Sequence, residues 1–136
     1  MKPLNFLLLL VLAGCGPSLA QQRAAAMAKA NADHEVAVQD CDRQFPEPVK
    51  QAVPRINCRN VAANQYLRPF FDNQLQFDRI TANKLALAEQ VQTGRISLIE
   101  FQRQLTEIVA GVAAEEDRRQ LLRRSVSAQE DAAAAS

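Results

Sequence analysis

The apolar positions in the second half of the chain fall into two stripes. Phe70, Phe77, Ile80, Leu87 and Val91 recur at threes, fours and sevens, with Phe71, Leu75 and Leu85 widening the same face. After an interruption at Gln92-Thr93-Gly94-Arg95-Ile96, a second stripe runs through Leu98, Phe101, Leu105, Ile108, Val112, Leu122 and Val126. Both spacings are those of helices that bury one face. Gly94 suits the left-handed position just past a helix end. Ser97-Leu98-Ile99-Glu100 reads as a capping box, in which serine and glutamate satisfy each other's backbone amides. Two stripes joined by a tight turn cover one another as an antiparallel pair. The pattern predicts a hairpin of two long helices, from about Pro69 to Val126, within a helical unit spanning 57–126.

Upstream, no proline or glycine interrupts the chain from Leu19 to Phe45. Met27, His34, Val38, Cys41 and Phe45 share one helical face, so a first helix is expected there, ended by Pro46. Pro46, Pro48 and Pro54 mark 46–56 as a connector, with a further helix starting near Asn57. Pro69 either kinks that helix or opens its long continuation. Residues 127–136, ending in alanines and Ser136, read as a flexible tail. Abundant alanine fits a helical protein.

The N-terminus has a different character. Lys2 precedes the apolar run Leu4–Val11, and small residues lead into a cysteine at Leu12-Ala13-Gly14-Cys15. This is the layout of a secretory signal. The tetrapeptide resembles the lipobox of bacterial lipoproteins, in which cleavage before the cysteine is coupled to acylation of its sulfur. The resemblance implies a signal peptide over 1–14 and a mature chain beginning at Cys15. Residues 15–45 would then hold the lipidated N-terminus and first helix, with Cys15 tethered to a membrane and facing the periplasm. A plain transmembrane anchor is a poor alternative, because about ten apolar residues fall short of the roughly 20 a spanning helix needs. An ordinary signal peptide cut later, for instance after Ala20, is another. Gly16 stands where related enterobacterial proteins carry an aspartate for inner-membrane retention, so the expected address is the outer membrane.

With Cys15 committed to lipid, Cys41 and Cys58 form an even pair in an oxidising compartment, and a disulfide between them is expected. The fold class expected is therefore all-α: a long antiparallel, coiled-coil-like helical hairpin plus an N-terminal helix linked to it by a disulfide.

Composition excludes more than it assigns. Sixteen lysines and arginines face fifteen aspartates and glutamates, giving a formal net charge of +1. Such a chain has no global field for nucleic acid, and no nucleic-acid partner is expected. His34 is the single histidine, with Cys41 two helical turns away and no helical ligand pair beside it, so no metal is expected. No glycine-rich phosphate loop or nucleophile elbow occurs, and no catalytic residue, cofactor or enzymatic activity is expected. The one basic cluster is Arg118, Arg119, Arg123 and Arg124. It is either a solvated helix end balanced by Glu115 and Glu116 or a contact for anionic lipid, glycan or an acidic partner. Phe71 lies off the narrow seam, so it faces either the first helix or a partner.

The turn Gly94-Arg95-Ile96-Ser97-Leu98-Ile99-Glu100-Phe101 also resembles the helix-turn-helix of SHOCT-type short bacterial domains, which read G-x-I-[ST]-x-x-E-[FY]. That resemblance implies oligomerisation or interaction, although here both helices run well beyond the usual short lengths. The murein lipoprotein is similar in being small, helical and acylated. The present chain ends in serine, without the terminal lysine that links that family to peptidoglycan. The function expected is a lipid-anchored envelope protein acting as a non-enzymatic scaffold or interaction module. Its partners would be membrane lipid through acylated Cys15, another envelope protein, and a second copy of the chain as a homo-oligomer. The alternative is an inhibitor or exclusion-type lipoprotein that blocks an incoming protein through a loop over 46–57.

Overall fold

The computed structural model describes residues 18–134, so the signal segment and Cys15 lie outside the described residues. Among the described residues there are four α-helices and no strand: α1 Leu19–Gln44, α2 Ala52–Tyr66, α3 Gln74–Gln92 and α4 Leu98–Ala134. Each packs on its predecessor in an up-down succession, α2 on α1, α3 on α2 and α4 on α3. A single 3-10 turn, Arg68–Phe70, lies between α2 and α3.

Local chemistry sets each boundary. Ser18 accepts from the Gln21 amide while Gln21 Oε1 accepts from the Ser18 amide, a capping box that starts α1. α1 stops at Gln44, just before Phe45-Pro46, because the residue before a proline is pushed out of helical geometry. α2 begins at Ala52 rather than near Asn57. Pro54 falls in its first turn, where a missing amide hydrogen costs nothing, so the connector shrinks to 45–51. The Val53 amide, one of the orphan donors of that turn, is satisfied across the bundle by Gln92 Oε1 at 2.9 Å.

α2 ends at Tyr66, and Pro69 sits inside the 3-10 turn instead of continuing a helix. Asn73 then caps α3. At the other end Gly94 adopts φ 72°, its amide donating to Val91 and that of Arg95 to Gln90, a Schellman closure. Ser97 caps α4 through the Glu100 amide at 3.1 Å. The expected reciprocal half of that box is replaced: the Glu100 carboxylate turns to Arg103 and Gln104. Those contacts draw its pKa down to about 2.

The core is narrow and rich in alanine. Ala52 and Ile56 of α2 meet Ala88 and Val91 of α3, ringed by Val53, Leu85, Ile96 and Phe101. Ala62, Ala63, Phe77 and Leu87 are also buried, but α1 contributes only Ala30 and Cys41. Small side chains let helix axes approach closely, yet each removes little apolar area from water. The Cys41–Cys58 disulfide is present, with Cα atoms 5.8 Å apart, and ties the last turns of α1 to the middle of α2.

The hairpin differs from the pattern read in sequence. At 1.5 Å per residue α3 is about 28 Å long and α4 about 55 Å, so the two cannot cover each other throughout. Phe77, Leu87 and Val91 are buried as their stripe requires, but Leu75, in the first turn of α3, is 80% exposed. No residue of α4 is fully buried, and Phe101, expected inside, is half-buried. Leu122 and Val126 continue the stripe but are 60% and 51% exposed, because α3 has ended before α4 reaches them. The segment expected as a flexible tail is helical as far as Ala134. No glycine or proline after Gly111 interrupts it, and alanine has the highest helix propensity.

Phe77→Ala should destabilise the protein by about 3–5 kcal/mol, and Phe101→Ala by less than half as much, because only Phe77 fills a closed site. Chemical denaturation of the two variants checks this. Equal losses would contradict the difference in burial.

Candidate interaction surface

A groove lies where α4 crosses the start of α3. Phe70, Phe71 and Ile80 form one wall, Val109, Val112 and Ala113 the other, enclosing about 350 Å³. The 3-10 turn makes this wall: Phe71 leans edge-on against buried Phe77, ring centroids 5.0 Å apart, and remains 38% exposed. Phe71 therefore packs on its own helix pair and lines the groove. Polar groups fasten the two walls. Gln76 donates to Glu116 at 3.2 Å, and Arg79 approaches Glu115 at 3.6 Å.

Beyond Gln120 α4 projects past α1, α2 and α3. Residues 121–134 are exposed throughout, and Leu121, Leu122 and Val126 are the large apolar residues among them. The arginine cluster sits where projection begins. Arg119 pairs with Glu115, one turn back, and Arg123 with Glu116 at 2.8 Å. No ion pair involves Arg118 or Arg124 among the described residues. The structure thus separates the four arginines into two held by the helix's own carboxylates and two free to meet something else. None of the four arginines lines the groove that Phe71 shares with Gln120, and Arg118 lies on another face of α4 beside Gly111, Ala114 and Glu115.

A second polar cluster sits between the first three helices. Asp42 takes Arg59 through both carboxylate oxygens at 2.5 Å and Arg55 at 2.9 Å, with both guanidinium groups mostly buried. Burial pushes the Asp42 carboxyl up, but the hydrogen bonds and charges of Arg59 and Arg55 outweigh it and hold it below the usual value. Lys84 is pushed down by burial and by the charge of Arg59. His34 is likewise lowered, by burial first and then by Lys84, with Glu35 opposing. Asn60 donates to the Thr81 carbonyl, while its own buried Oδ1 has no partner. Sequence reasoning missed this cluster. Its signal was His34, the one ionisable group on an otherwise apolar stripe of α1.

Among the described residues, no three of His, Cys, Asp and Glu gather as a metal would require. No described helix is long and apolar enough to cross a membrane. No family model, curated protein or solved structure significantly matches this chain.

Asp42→Asn should lower stability at neutral pH by about 1–2 kcal/mol, the cost of leaving two mostly buried guanidinium groups without their anion. The pH dependence has a definite sign. A carboxyl whose folded pKa lies below its ordinary 3.8 adds stability above that value and loses it as pH falls through the folded pKa. The wild-type protein should therefore lose the Asp42 increment below about pH 4, and its gap to Asp42→Asn should narrow there in urea titrations. A gap independent of pH would contradict the ion-pair assignment.

Proposed function

We propose that this chain is a lipid-anchored, periplasm-facing envelope protein that acts as a non-enzymatic interaction module. The anchor reading rests on Leu12-Ala13-Gly14-Cys15 and on the apolar run before it. The observation that carries the interaction reading is the uncovered length of α4. The groove beneath Phe70 and Phe71 runs into a projecting helix end with Leu121, Leu122 and Val126 in solvent. An open groove lined by apolar side chains, with further apolar residues left in solvent beyond it, is the kind of surface that marks a protein contact.

The protein partner in this reading lays a helix or an extended segment along the groove between Phe71 and Val109. The outer membrane is the proposed address, from Gly16. The inhibitor reading gains nothing from the fold: its binding loop was to span 46–57, and α2 already occupies 52 onward.

Cys15→Ala should abolish acylation and release the protein from membranes or leave it unprocessed. Acyl chains contribute about 0.8 kcal/mol per buried CH₂, and several together make anchoring permanent. A processed Cys15→Ala protein that still fractionates with membranes would refute the anchor. Val109→Glu tests the groove. Val109 is 44% exposed, so the change should cost no more than about 0.5 kcal/mol of stability while removing envelope protein cross-linked to the wild type. Unchanged cross-linking would refute the groove as the contact.

A further inference from the structure

We infer that a pocket between the start of α4 and α2 captures the free C-terminal carboxylate of a partner peptide together with its last, apolar side chain. The site is separate from the groove between Phe71 and Val109 and does not depend on the anchor at Cys15.

Shape comes first. Leu98 and Phe101 of α4 face Arg55, Ile56 and Arg59 of α2 across an open space of about 210 Å³ floored by Val91. Ile56 and Val91 belong to the dry core, and Phe101, packed against it, is only half-buried. Leu98 is 42% exposed. α4 packs on α3 and stands off from α2 here, so the first two positions of its inner stripe lack a full cover. An apolar group seated in the pocket would supply that cover.

Charge defines what the group must carry. No acidic residue lines the pocket. Its two arginines share one carboxylate: Asp42 accepts from Nε of Arg55 and from Nε and Nη2 of Arg59. Among the described residues no other carboxylate pairs with either. Both Nη atoms of Arg55 and Nη1 of Arg59 keep donors to spare. None of these is sealed in, for the buried side-chain atoms without a partner are Asn60 Oδ1 and Arg68 Nε. The acids nearest in sequence are engaged elsewhere, Glu100 with Arg103 and Gln104, Glu47 with Lys50. Two guanidinium groups against one carboxylate leave a positive charge, and such groups take a carboxylate through short, charge-assisted forked hydrogen bonds.

Size and charge together select the occupant. Sites for drug-sized ligands enclose roughly 300–1,000 Å³, and this one is smaller, with room for one side chain beside a carboxylate. A long acyl tail exceeds it. A free amino acid would bring its ammonium against the arginines. The last residue of a peptide has the carboxylate and the side chain on one carbon, with no ammonium beside them. Gln102, also lining the pocket, has an amide suited to the terminal peptide bond. Capture of a chain's terminal carboxylate is a recurring mode of peptide recognition.

The test titrates the whole isotope-labelled protein, in a non-ionic micelle, with N-acetyl-alanyl-alanyl-leucine and follows its amide resonances. Saturable shifts should centre on 52–59 and 98–102. The same peptide ending in a carboxamide should bind at least tenfold more weakly, and Arg55→Gln should weaken the carboxylate peptide by a similar factor. Gln102→Glu changes an exposed residue and should leave the thermal melt unchanged. It should still weaken the carboxylate peptide at least fivefold and the carboxamide peptide not at all.

Absence of saturable shifts from the folded protein, or shifts confined to 109–120, would overturn the inference. Equal affinity for the two peptides would overturn the assignment to the carboxylate. Should Arg55→Gln fail to fold, Gln102→Glu decides, and an unchanged affinity in that variant would overturn the inference as well. Binding of 4-methylpentanoate or octanoate as tight as that of the peptide would assign the pocket to free fatty acids and refute the peptide terminus.

Discussion

Only Ala30 and Cys41 of α1 are buried, so the attachment of that helix depends on the cystine joining Cys41 to Cys58. Two alanine-lined helices bury too little apolar area to offset the entropy of ordering 26 residues of α1. Closing a loop with a sequence separation of 17 restricts the unfolded chain, by about 3 kcal/mol on the chain-entropy account. Asp42, next in sequence to Cys41, then locks the same joint by drawing Arg55 and Arg59 across from α2. The rest follows from that joint. With α1 held against one side of α2, its other side is free for α3, whose end returns to the start of α2 through Gln92 and Val53. α4 is left with α3 as its principal support.

This order of dependence explains why the molecule is asymmetric. The end near the disulfide and the Gly94 turn holds the dry cluster of Ala52, Ile56, Ala88 and Val91. The opposite end, where α1 begins and α3 starts, is held by hydrogen bonds and ion pairs around Asp72, Gln76 and Glu116. Exposed pairs of this kind contribute little each. Function is proposed for this less consolidated end, where the groove opens and α4 departs.

The elements with local punctuation were legible in the sequence. Pro46, Gly94 and Ser97 bound the helices where capping and proline chemistry predict, and the even cysteine pair announced the staple. Other features were misread or missed for definable reasons. Pro54 was taken as part of a connector, although a proline in a helix's first turn breaks no hydrogen bond. The stripe through Leu122 and Val126 was taken as an inner face; periodicity specifies that a helix has an apolar face, not that a partner is long enough to cover it. The Asp42–Arg55–Arg59 cluster and the desolvated Lys84 were marked only by His34 on the stripe of α1, because which helices adjoin is not encoded in a local pattern. Of the interaction surface, Phe71 and the arginines were marked in advance. Their division into self-paired and unpaired arginines needed coordinates.

The account stands on the claim that α4 is covered by α3 only as far as Gln120 and uncovered beyond. Residue-resolved hydrogen exchange of the acylated protein in a non-ionic micelle tests this most directly, because exchange reports local opening rather than helix content. Amides over 56–63 and 77–91 should exchange only through global unfolding. Those over 121–134 should exchange faster by at least about two orders of magnitude, since no packing opposes the fraying of an unsupported helix. Protection across 121–134 as strong as that across 77–91 would contradict the account, for it would require a cover on α4 that this arrangement of helices does not contain.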